Sequence, residues 1–435
     1  MFPIVQLTAI KQIATTKFMR NTGWLVAEQI FKMVLSLVVL SLTARHLGAE
    51  QFGLLNYSLA FIMVGVTITN LGIDSILVNE FIKNRAETGL LLGTTLVLRF
   101  IAALLSIGST LIVVYLLNPN DTLLFALTAI HAVSLLFVIF DSIDCWFQSN
   151  LQSKYAVLAK SIAFFLVSCW RLVFIFMGGS VHAFALATVI EALFLGLFLL
   201  WFYRRHSGPA LSFSFTIARQ LLRRSAYFFI AGLLIIVYTQ MDKIMLGHLS
   251  THETVGIYMA AFTVSSMWMF IANALIESAR PVIMTAKLES EQRYMQRNKQ
   301  LFCAIIWIGI SASIIITLLS KPLILLIYGT AFSEAVHVLV ILIWSRIFSL
   351  LGTVRAIWLT MEGLGQYQVT FVGIAAVINV TLNLVLIPTY GAIGAAIATL
   401  LAEIISAFFA VLFFRKTKPL FRLIIEAFLC KGLRN

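Results

Sequence analysis

Apolar runs of about 20 residues recur from one end of this sequence to the other, and a run of that length crosses a bilayer as a helix. We read twelve of them: roughly 22–43, 52–78, 90–117, 122–147, 156–177, 181–203, 225–246, 255–276, 301–319, 332–361, 369–387 and 393–414. In hydrocarbon every backbone amide needs a partner inside the protein, so runs this long predict an all-α integral membrane fold. Composition agrees: 11% of the residues are charged, against roughly 25% for an ordinary soluble chain. Met1 to Arg20 lacks an apolar core followed by a small-residue cleavage site, so no leader is expected to be removed. The four cysteines (Cys145, Cys169, Cys303 and Cys430) lie in or beside apolar runs or near the C-terminus, and no disulfide framework is expected.

Lysine and arginine orient the molecule, because they are retained on the cytoplasmic side. They fall in the N-terminal segment, in the loops after spans two, four, six and eight, and in the C-terminal tail, 22 in all. Lys160 is counted here with the loop after span four. The opposite loops hold only Arg45 and Lys321. Both termini are therefore expected in the cytoplasm. The net charge of +13 is a topology signal, and no nucleic-acid partner is implied.

Two segments are echoed about half a chain later. HLGAEQFGLLNYSLAF (46–61) matches HLSTHETVGIYMAAF (248–262), and GSVHAFALATVIE (179–191) matches GAIGAAIATLLAE (391–403). Offsets of 202 to 212 residues amount to six spans, so both copies keep one orientation. Parallel repeats of this kind predict two six-helix lobes with a substrate path between them. We place the lobes at 1–203 and 225–414, joined by a basic linker at 204–224 and followed by a basic tail at 415–435.

Seven cations remain in or beside spans: Lys32, Arg99, Arg171, Lys243, Arg280, Arg346 and Arg355. Each costs about 2.5–3.5 kcal/mol at the middle of a lipid-facing helix, so most must face water, a partner or the headgroups. Lys243, Arg280 and Arg355 lie close enough to span ends to snorkel. Glu28 with Lys32, and Glu277 with Arg280, share helix faces. Asp242 and Lys243 are adjacent and point about 100° apart, so at least one needs a partner or ligand elsewhere. Glu191 and Glu403 lie near mid-membrane and, with Glu28 and Asp242, are candidate coupling or structural carboxylates. An excess of Arg and Lys in helix interiors suits an anionic substrate, since guanidinium matches phosphate oxygens bidentately. Lys32, Arg99, Arg171, Lys243, Arg346 and Arg355 are the candidate substrate-binding residues. Six of the seven histidines lie toward the outer side, where they could sense pH. No metal-ligand cluster, nucleotide-binding loop or nucleophile motif occurs, and no cofactor is expected.

MDKIMLGHLSTHETVGIYMAAF resembles the Asp-Lys-x-x-x-Gly … Val-Gly-x-Tyr segment of the polysaccharide repeat-unit flippases, the O-antigen transporter family. ARHLGAEQFGLLNYSLAF, NLGIDSILVNEFIKN, DSIDCWFQSNLQSKYAVLAK and NALIESARPVIM match in family order and spacing. The resemblance implies the multidrug/oligosaccharidyl-lipid/polysaccharide exporter fold. It implies a substrate too, an undecaprenyl-pyrophosphate-linked oligosaccharide made on the cytoplasmic face of a bacterial inner membrane. Exchange against protons, contact with membrane lipid, and a polysaccharide polymerase and chain-length regulator as partners are further implications. Asp242 and Lys243 match the family motif, which does not say whether they touch substrate or are structural.

Two other readings stay open. A multidrug cation exporter shares the fold, and the cationic interior argues against it. A membrane polymerase or ligase of lipid-linked glycans usually needs a sizeable outer loop, whereas the outer loops here run to about ten residues. Lipid II flippases typically carry two further helices.

Overall fold

The computed structural model describes the backbone of residues 3–429 and the side chains of residue 33 and residues 35–429. Glu28 and Lys32 fall outside the described side chains. The helices are α1 (Pro3–Asn70), α2 (Asp74–Lys83), α3 (Thr88–Leu117), α4 (Thr122–Ala132), α5 (Leu135–Val138), α6 (Asp141–Ser149), α7 (Ser153–Phe176) and α8 (Val181–Arg205). There follow α9 (Phe215–Leu249), α10 (His252–Met267), α11 (Met269–Glu289), α12 (Glu291–Leu318), α13 (Ser320–Ile327), α14 (Ala335–Met361), α15 (Gln366–Ile404) and α16 (Lys418–Phe428).

Among the described residues nine helical runs are long and apolar enough to cross a membrane, or ten when the bent pair α10–α11 counts as one crossing. The chain is a multi-pass membrane protein. The count falls short of twelve because two runs, Leu35–Lys83 and Gln366–Leu412, have 49 and 47 residues. At 1.5 Å per residue each extends about 70 Å, over twice the hydrocarbon thickness. Each is also interrupted. Gly48 breaks α1 at φ 72°, and Gly391 breaks α15 at φ 53°.

The chain forms two compact units. The first comprises residues 1–46 and 61–233. Its core gathers Leu77 and Phe81 of α2, Leu92 of α3, Ile143, Trp146 and Phe147 of α6, and Leu199 and Tyr203 of α8. Residues 206–214 are anchored on α3, where the Ser214 amide donates to Thr94 Oγ1 at 3.1 Å.

The second unit comprises residues 47–60 and 234–435. α14 is its most deeply buried long helix, with Leu350, Val354 and Leu359 fully enclosed. The break at Gly391 folds the two arms of α15 back on each other. They approach so closely at Gly394 that a Cβ there would lie 2.2 Å from the Leu386 carbonyl oxygen. A second close crossing joins the α1 segment after Gly48 to α10. A Cβ on Gly53 would lie 1.7 Å from the His252 carbonyl oxygen, and one on Gly256 would lie 2.1 Å from that of Ala49. Both glycines belong to the echoed motifs.

α16 is amphipathic and buries Leu420, Leu423, Ile424 and Ala427. Glu426 pairs with Lys299 of α12 at 2.6 Å and with Arg422 at 2.9 Å. Lys299 first, and Arg422 with it, hold the Glu426 carboxyl below its usual range. A carboxyl that is harder to protonate when docked stabilises docking above the ordinary glutamate range, and this contribution fades as pH falls through the depressed value. Hydrogen exchange of the α16 amides checks the sign. Wild type is expected to be better protected than Glu426→Gln at neutral pH, with the difference vanishing in acid.

Candidate functional site

Asp242 sits on α9 within an apolar surround, only 6% exposed, so its carboxylate must be satisfied by protein donors. Four supply it. Tyr258 Oη of α10 donates to Oδ2 at 2.7 Å, and Thr399 Oγ1 of α15 donates to the same oxygen at 2.7 Å. Asn379 and Asn383 donate through Nδ2 to Oδ1 at 2.9 and 2.8 Å. Asn379 and Asn383 are four residues apart on the first arm of α15, while Thr399 lies on the second. The break at Gly391 therefore brings both arms to one carboxylate. The motif spacing also acquires a physical meaning, since its Asp and its Tyr make one hydrogen bond.

Lys243 turns away from Asp242. Its Nζ donates to Gln240 Oε1 at 2.7 Å and stands 4.9 Å from the centroid of Phe262. The Arg346 guanidinium of α14 stands 4.4 Å from the same ring and donates from Nε and Nη2 to Ser265 Oγ at 3.1 Å. Two cations thus share one aromatic face system. Neither has a carboxylate within salt-bridge distance among the described residues. Glu403, one turn beyond Thr399, is within electrostatic reach of Arg346 and Arg355 and faces Tyr238. Arg355 itself donates from Nη1 to the Ser406 carbonyl and lies over Phe371 at 4.7 Å. Three cations and two carboxylates therefore occupy this part of the second unit, a surplus of one positive charge.

The remaining candidates lie in the first unit. Arg99 on α3 is fully buried and bonds Asp74 at 2.5 Å. Cys145 Sγ also donates to that aspartate at 3.4 Å. Arg171 on α7 pairs with Glu191 on α8 at 3.6 Å. The sequence offered no partners for Arg99, and it placed Lys160 in a loop. Lys160 is instead on α7, 2.6 Å from Asp144 of α6. Asp74, Asp141 and Asp144 were legible as acids within or beside spans two and four. Glu277 and Arg280 of α11 pair at 3.1 Å on an exposed face that also carries Asn273. A polar face on a membrane-length helix calls for water or a polar ligand beside it. Asn379 and Asn383 are the residues sequence reasoning missed. Two amides at i, i+4 inside an apolar run were their visible signal.

Solved structures share the fold. The lipid II flippase MurJ in an inward closed conformation matches with a TM-score of 0.73 at 15% identity, over 93% of this chain and 89% of that one. An inward-facing multidrug resistance MATE family transporter of the MOP superfamily matches with a TM-score of 0.68 at 15% identity, over 89% and 96%. In sequence the chain is 32% identical over 186 residues to the probable flippase AglR of Haloferax volcanii, covering 40% of this chain and 37% of the relative. It is 26% identical over 193 residues to the probable low-salt glycan biosynthesis flippase Agl15 of the same organism, covering 43% and 40%. The alignments thus span less than half the length of these curated relatives. The polysaccharide biosynthesis protein family model matches residues 18–287, well over half of the sequence, and the chain belongs to that family.

Proposed function

We propose that this protein is a flippase for lipid-linked oligosaccharides, a transporter with no enzymatic step. The observation that carries the reading is the pair Lys243 and Arg346, both held against the Phe262 ring with no carboxylate in salt-bridge contact among the described residues. A cationic pair in a membrane interior suits a diphosphate, and it disfavours the cationic substrates of a drug exporter. The substrate we assign is an undecaprenyl-pyrophosphate-linked repeat unit of O-antigen or another surface polysaccharide. It passes from the cytoplasmic to the outer leaflet of a bacterial inner membrane, and a polymerase and chain-length regulator act on it afterwards.

Twelve crossings follow if the breaks at Gly48 and Gly391 each separate two spans and α10–α11 form one. Six crossings then fall to each lobe, 1–203 and 225–414, with the basic linker 204–224, the tail 415–435 and both termini in the cytoplasm. Rocking of one lobe against the other gives alternating access while the isoprenoid tail stays in lipid. A proton gradient or the membrane potential drives the cycle, with Glu403, Asp242, Glu191 and Glu28 as coupling carboxylates. Lys32, Arg99, Arg171 and Arg355 complete the cationic path.

Cells lacking the protein are the test. Lipid-linked oligosaccharide is expected to accumulate on the cytoplasmic leaflet while surface polysaccharide is lost. Arg346→Ala and Lys32→Ala, expressed at wild-type levels, should restore export roughly tenfold less efficiently for each lost charged contact. Wild-type export from the double variant removes the cationic-path reading. Sensitivity to cationic dyes without lipid accumulation favours the drug exporter.

A further inference from the structure

α11 and α12 meet at Ser290, whose side chain accepts from the Arg293 amide and caps α12. Just inside that turn the two helices leave a cavity of about 610 Å3. Its walls are two helical stripes with the same i, i+3, i+4, i+7 spacing, which puts each set on one helix face. α12 contributes Arg293, Gln296, Arg297 and Gln300. α11 contributes the smaller Val282, Thr285 and Ala286, which leave the space open, and Glu289.

The cavity is graded along its length. At the Ser290 end stand Glu289 and Arg293, paired at 2.6 Å. One turn deeper Arg297 donates from Nη1 to Gln300 Oε1 at 3.0 Å. At the other end Val282, half exposed, opens onto the apolar stretch of α11. Two guanidiniums one helical turn apart repel each other, and the single carboxylate compensates one of them. A guanidinium has five N–H donors in a fork, and these two bonds use one from each arginine. Donors in this number match an anion with several oxygens. The apolar exit past Val282 matches a hydrocarbon chain attached to that anion.

We propose that this cavity binds the phosphate headgroup of a membrane lipid, at a place separate from the Asp242 cluster. Arg293 and Arg297 hold the phosphate, the Gln300 amide N–H reaches a remaining oxygen or an attached polar group, and the tail leaves along Val282. A phospholipid and an isoprenoid diphosphate present this same chemistry. The inference is independent of the transport reading, because its readout is binding alone.

Native mass spectrometry of the full chain in neutral detergent, titrated with phosphatidylglycerol or with farnesyl diphosphate, tests it. Wild type is expected to retain one lipid phosphate. Arg293→Gln with Arg297→Gln should lower its occupancy about tenfold, while Arg204→Gln with Arg205→Gln, an exposed basic pair on α8, leaves it unchanged. A matched melting temperature shows that the variants are folded. Preference for farnesyl diphosphate supports a site for the carrier lipid, and equal or greater retention of phosphatidylglycerol supports an anionic phospholipid site. Undiminished occupancy in the Arg293/Arg297 variant overturns the proposal. So does an equal loss in the Arg204/Arg205 variant, which makes the binding diffuse electrostatics.

Discussion

Asp242→Ala is expected to cost about 3–5 kcal/mol of folding stability, the range for removing one partner of a buried charged network. Four interhelical hydrogen bonds at roughly 0.6 kcal/mol each set a floor near 2 kcal/mol. The remainder comes from what is left behind. Tyr258, Thr399, Asn379 and Asn383 keep their polar groups in a pocket that has lost its acceptor. The local charge surplus over Lys243, Arg346 and Arg355 also rises from one to two. Asp242→Asn retains the volume and one accepting oxygen, so it should fall between wild type and alanine. Thermal unfolding in detergent gives the order. Asp242→Ala melting at the wild-type temperature would contradict the idea that this carboxylate ties α9 to α10 and both arms of α15. Export should fail in both variants if the carboxylate also couples transport.

The second large effect is steric. Gly53→Val or Gly256→Val is expected to destabilise the second unit by about 3 kcal/mol, the upper part of the overpacking range. Both would place atoms against carbonyl oxygens of the opposing helix, which are backbone and cannot rotate aside. Only separation of the helices relieves the clash. Because one separation accommodates both substitutions, the double variant should cost clearly less than the two single effects added together. Unfolding temperatures of the two single variants and the double variant measure this, and strict additivity would mean that the glycines do not share one crossing.

The length of the apolar runs carried much of this fold in the sequence. The apolar runs match helices throughout, and the two longest are broken at glycines near the expected turns, 48 and 391. The reach of Asp242 was not legible, because its partners lie 16, 137, 141 and 157 residues away. A single sequence gives no measure of such distances. What it did give was the local contradiction of two adjacent opposite charges that cannot face each other. Lys160 was misplaced for a related reason: hydropathy treats a lysine near a span end as loop, whereas it lies on α7 with the carboxylate of Asp144 on the neighbouring helix 2.6 Å away. The cavity beside Ser290 has a trace in the sequence as well, the Arg-x-x-Gln-Arg-x-x-Gln spacing of 293–300.

The glycine crossing carries one more consequence. Ala49 with His252, and Gly53 with Gly256, are each 203 positions apart, so exchanging the two segments maps the contact onto itself. An interface with that property is isologous, the kind that two identical subunits form about a two-fold axis. A side chain added at either glycine therefore presses on the same crossing from opposite sides, as a single change does twice at a two-fold interface.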